Sequence, residues 1–143
     1  MDYAPFHEQC PEIAKQETRS LTVTRDTDIP AGTYLLLELY CTDPECDCRR
    51  VFLNVVSAEE SESLAFIAYG WEDREYYEDW FGLDMPELVD DLKGPALNAA
   101  SPQSEYAPIL LKTIEEQVLT DDAYIERLQN HYHMFKEAIR DNR

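Results

Sequence analysis

Tyr40-Cys41-Thr42-Asp43-Pro44-Glu45-Cys46-Asp47-Cys48-Arg49-Arg50 holds three of the chain's four cysteines, spaced C-x4-C-x-C around an Asp-Pro turn. A strand-forming run, Tyr34 to Tyr40, leads into it, and another, Val51 to Val56, leaves it. Asp and Pro favour a tight reversal between them, and thiolates gathered on a reversal are good zinc ligands. The stretch reads as a metal-binding knuckle joining two strands, with a small α+β domain built around it.

Working outward, Ser20 to Arg25 alternates Leu21 and Val23 with Thr22 and Thr24, as a half-buried strand does. Asp28 to Gly32 has turn chemistry. Thr33 to Tyr40 is a second strand carrying Leu35, Leu37 and Leu39 on one face. Beyond the cysteines, Val51, Leu53 and Val55 alternate with Phe52, Asn54 and Val56 in a third strand, and Leu64 to Tyr69 forms a fourth, ending at Gly70. Short connections predict a four-stranded antiparallel meander with one face to cover, and the knuckle then lies between strands two and three.

Helices supply the cover. Cys10 to Glu17 reads as a short helix with Pro11 at its first position. Arg74 to Phe81 is closed by Gly82, and Pro86 to Leu92 is stopped by Gly94-Pro95. Ser104 to Leu119 is helical provided that Pro108 falls near its start. Thr120 is the expected cap of a last helix, with Asp121 and Asp122 in its first turn. Its apolar positions Tyr124, Leu128, His131 or Tyr132, Phe135 and Ile139 follow helical spacing. At 143 residues the expectation is one domain, 1–143.

Charge excludes several functions. With 30 acidic and 12 basic residues, formally −18, the chain repels phosphate backbones and anionic lipid, so neither nucleic acid nor a membrane is an expected partner. The segment MDYAPFHEQC lacks the basic and apolar regions of a secretory signal, which points to the cytoplasm. Clustered cysteines there are more often metal ligands than disulfides. Between Glu59 and Asp91 twelve carboxylates face one base, Arg74. Such a stretch is ordinarily a solvated face; a docking surface for another protein, helped by nearby aromatics, is the sharper alternative.

Zinc needs a fourth donor. In an antiparallel hairpin the residues before Ser20 would lie beside Cys41, which brings Cys10 and His7 toward the loop. Cys10 is favoured, completing a site of Cys41, Cys46, Cys48 and Cys10; His7 is second, and His131 and His133 are more distant. A closed set of four argues for structural zinc. An open position beside Asp43, Glu45 or Asp47 would instead suit a zinc-dependent hydrolase or lyase. A redox pair, Cys46 and Cys48, is a third reading, because Arg49 and Arg50 favour thiolates. Two residues apart on a helix, His131 and His133 point in different directions; His131 reads as part-buried and His133 as a surface residue. Trp71, Tyr76, Tyr77, Trp80 and Phe81 read as packing with polar tips exposed, with a ligand pocket as the alternative.

Three segments, YCTDPECDCRRVFLNVV (40–56), NAASPQSEYAPILL (98–111) and YIERLQNHYHMFKE (124–137), resemble an uncharacterised family of bacterial proteins with a YCxDPxCDCRR loop. The resemblance implies a bacterial cytosolic protein and carries no activity. Cys46-Asp47-Cys48 also looks like the start of the zinc-binding SEC-C motif, but the downstream cysteine pair of that motif is missing. The resulting expectation is a zinc-stabilised protein that acts by binding another protein.

Overall fold

The computed structural model describes residues 2–82 and 85–141. Strand β1 (Tyr3–Pro5) runs into helix α1 (Phe6–Gln9), followed by α2 (Pro11–Glu17), β2 (Arg19–Val23), β3 (Gly32–Cys41), β4 (Arg50–Ser57) and β5 (Glu62–Gly70). Then come α3 (Arg74–Phe81), α4 (Pro86–Lys93), β6 (Ala96–Leu97), α5 (Ala107–Gln117) and α6 (Asp122–Asp141). The α+β class and antiparallel sheet agree with expectation, and the cysteine loop joins β3 to β4. The strand count does not agree: the sheet has six strands, not four, in the order β1-β3-β4-β5-β6, with β2 also on β3. The two unforeseen strands are three and two residues long. That is too short for alternation to register in a sequence.

The sheet's inner face and the last two helices share one core. Leu36 pairs with Val55 and Leu53 with Ile67. Against these pack Leu110 and Ile114 of α5 and Tyr124, Leu128, Tyr132 and Phe135 of α6, all buried. On β3 the buried face is the one that carries Tyr34, Leu36, Glu38 and Tyr40, whereas Leu35, Leu37 and Leu39 are half-buried on the other side. Glu38 tolerates burial because Tyr40 Oη, at 2.5 Å, and His131 Nδ1, at 2.7 Å, both hydrogen-bond its Oε1.

Helix ends follow local chemistry. Asp73 caps α3 by accepting from the Tyr76 amide at 3.0 Å, and Gly82 closes it at φ 71°. Pro108 is the second residue of α5, where its missing N–H costs nothing. The cap of α6 is Asp121, not Thr120. The Asp121 carboxylate accepts from the Ala123 amide at 3.0 Å, while the Thr120 hydroxyl donates back to the Glu116 carbonyl. Among the described residues no helix is long and apolar enough to cross a membrane.

Candidate metal centre

β3 delivers Cys41 as its last residue, and the chain reverses at once. The Cys46 amide donates to the Asp43 carbonyl at 3.1 Å, closing a tight turn with Pro44 at its second position. The Asp43 carboxylate accepts from the Glu45 amide at 2.9 Å, and the Asp43 amide donates to Cys41 Sγ at 3.4 Å. The turn folds the loop back on the end of β3, so that the sulfurs of Cys41, Cys46 and Cys48 all lie within 4.8 Å of one another. Cys41 and Cys48 are fully buried and Cys46 partly so. Three soft donors this close fit a thiophilic ion that favours tetrahedral coordination.

Cys10 and His7 do not belong to this group. Cys10 ends α1 and precedes α2, packed against the core, and burial raises its thiol pKa. His7 lies on the exposed side of α1. Register explains the difference from the hairpin expectation. β2 reaches only as far as Arg19 opposite Leu36, while β1 takes over the rest of that edge and sets Tyr3 opposite Cys41.

Four elements clasp the loop. From α6, Lys136 Nζ donates to the carbonyls of Cys41 (3.0 Å) and Asp43 (2.6 Å), and Arg140 donates to that of Pro44 (2.8 Å). The Tyr132 hydroxyl donates to the Cys46 carbonyl at 3.1 Å and accepts from the Arg49 amide at 3.4 Å. From α3, Tyr76 donates to the Asp47 carbonyl and Tyr77 to that of Arg49. Just before β1, the Asp2 carbonyl accepts from the Thr42 amide at 2.9 Å. Across the start of β4, Arg50 donates to the Tyr3 hydroxyl at 3.2 Å. These contacts hold Arg49 at φ 51°, a left-handed conformation that a residue with a Cβ rarely adopts unless its surroundings impose it.

The loop's acidic groups are shifted by their surroundings. Burial, and then the neighbouring Cys48 and Cys41, push the Cys46 thiol up to about 12. The same three causes also raise Tyr3, although Arg50 opposes them. A bound metal reverses that balance by deprotonating the thiols it ligates. Asp47 is held below the usual carboxylate range by its paired hydrogen bonds from the Arg49 guanidinium.

The other candidates fall elsewhere. His131 is fully buried, with Nδ1 on Glu38 and Nε2 on Glu17 at 2.8 Å, and Phe6 stacks on its ring at 4.3 Å. Burial pulls the imidazole down, but the two carboxylates outweigh it and hold its pKa above the ordinary value. His133 is exposed. Of the aromatics, Tyr76 and Tyr77 brace the loop, Trp71 packs edge-on to Tyr132 at 5.1 Å, and Trp80 is 37% exposed. The sequence alone assigns Tyr3, Tyr132 and Lys136 no part in the site. The one available signal was the i, i+4 spacing of Tyr132 and Lys136, which places both on one strip of α6. A groove of about 320 Å³ runs along that strip, lined by Cys46, Asp47, Tyr132, His133, Lys136 and Glu137 among others. Searched against protein-family models, curated proteins and solved structures, the chain matches none of them.

Proposed function

We propose that this is a zinc-binding protein of the bacterial cytosol in which the metal is structural and the acidic, aromatic surface binds another protein. One observation carries the metal reading: the convergence of the Cys41, Cys46 and Cys48 sulfurs at the end of a braced turn. An ion there would tie the end of β3 to the loop that enters β4, which is what a structural zinc contributes. The interaction reading is supported by Trp80, Met85 and Leu88, which stand exposed on and beside α3 and α4 among Glu75, Glu78, Asp79 and Glu87.

A second reading, a zinc-dependent hydrolase or lyase, is favoured by the count of donors. Three sulfurs are gathered, and the partly exposed Cys46 borders a groove where water could complete the coordination. Metal analysis of the purified, reduced protein tests the metal itself. About one zinc per chain is expected, lost on Cys46→Ser. A metal-free protein whose Cys46 and Cys48 oxidise readily would remove the metal reading and favour thiol chemistry.

A further inference from the structure

A tetrahedral zinc on Cys41, Cys46 and Cys48 is one donor short. Resting on the metal-binding reading above, we infer that the fourth ligand is His133, supplied by α6 across the groove beside Cys46.

The loop lies lengthwise on α6. Tyr132 holds the Cys46 carbonyl, Lys136 the Asp43 carbonyl and Arg140 the Pro44 carbonyl. His133 follows Tyr132, one step round the helix from this strip, and lines the groove that Cys46 lines. Its imidazole makes no hydrogen bond among the described residues; the Tyr132 ring lies edge-on beside it, 5.5 Å away between centroids. An exposed side chain in that state can turn to a metal without breaking anything.

The competing donors are committed or chemically poorer. His131 has both nitrogens on carboxylates inside the core. The Asp47 carboxylate is held by the Arg49 guanidinium. As they stand, Cys10, His7 and His133 all lie outside the group of close donors, but only His133 lines the groove beside Cys46; β1, rather than the segment before β2, borders Cys41 and keeps Cys10 and His7 away. Glu45 and Glu137 line the groove, but a thiolate-rich zinc site is ordinarily completed by sulfur or imidazole, not by a carboxylate oxygen.

Cobalt(II) titration of the reduced full-length protein separates the possibilities, because the visible bands of cobalt report the donor set. Wild-type protein is expected to take up about one ion with the intense bands of tetrahedral thiolate coordination. His133→Ala should weaken binding at least about tenfold and shift the visible bands, whereas Cys10→Ala, His7→Ala and Glu137→Ala leave both unchanged. His133 is exposed, so its truncation should spare the fold, and an unchanged far-ultraviolet circular dichroism spectrum checks this. Wild-type affinity and bands in His133→Ala would overturn the assignment while leaving the metal reading intact, as would a loss seen in Cys10→Ala or Glu137→Ala instead. No cobalt uptake by the wild type would overturn both.

Discussion

Arg49 is the residue at which the loop's tension is concentrated. Its left-handed backbone persists because Tyr77 holds its carbonyl and Tyr132 its amide. Tyr77 can reach that carbonyl only because residue 70 is glycine, since a Cβ there would fall on the phenol hydroxyl. Tyr77→Phe should cost about 1–3 kcal/mol in urea unfolding, because it removes two hydrogen bonds, the donation to the Arg49 carbonyl and the acceptance from the Glu72 amide. Gly70→Ala should cost about 1–3 kcal/mol, because the ring itself must move. If Gly70→Ala were as stable as wild type, the close approach would not be a constraint. His131 has a similar position in the core. His131→Ala leaves Glu38 buried with one partner removed, and a loss of about 3–5 kcal/mol is expected by the same measurement. Glu17→Gln, at a carboxylate that is 39% exposed, should cost less than about 1 kcal/mol. Equal losses from the two would show that the buried and the outer halves of the network are equivalent.

At the scale of elements, α6 serves as both core and clamp. Leu128 and Phe135 face the sheet, while Tyr132 and Lys136 reach the cysteine loop. Lys136→Met keeps much of the packing stem and removes both carbonyl contacts. On the zinc reading proposed above, it should lower metal affinity about tenfold in a chelator competition and shift the melting temperature by only a few degrees. Unchanged affinity would mean that the turn holds its shape without α6. The sequence revealed the elements whose causes are local. The Asp-Pro turn, the strands on either side of it, the Gly82 stop and the place of Pro108 are all legible from neighbouring residues. It did not reveal contacts made across long separations. Glu38 sits among leucines that alternate convincingly on the wrong face, and the histidine that makes its burial tolerable lies 93 residues away. β1 escaped for a related reason: three residues have no periodicity, and only their pairing with the end of β3 makes them a strand. Cys10 is the expected fourth donor only for a complete hairpin, whereas β2 stops short of the cysteines.

For the whole molecule, the proposed metal raises the question of how much of the fold would depend on it. The sheet and α5–α6 core is built from Leu36, Leu53, Ile67, Leu110 and Leu128, none of which belongs to the sulfur group. Chelation should therefore leave the far-ultraviolet circular dichroism spectrum native while lowering the melting temperature by about 5 °C or more, as loss of a native-state ligand does. Faster amide exchange should be confined to residues 41–50 and the facing turns of α6. Global unfolding on chelation would mean that the metal, and not the apolar core, supports the domain. The contacts between Lys136 and Cys41 close over 95 residues of chain. On a ribosome that adds about 5–20 residues each second, the thiols therefore precede their clamp by roughly 5–20 s. During that interval the nascent loop must keep three thiols reduced, so a metal held as proposed would be clamped only late in synthesis.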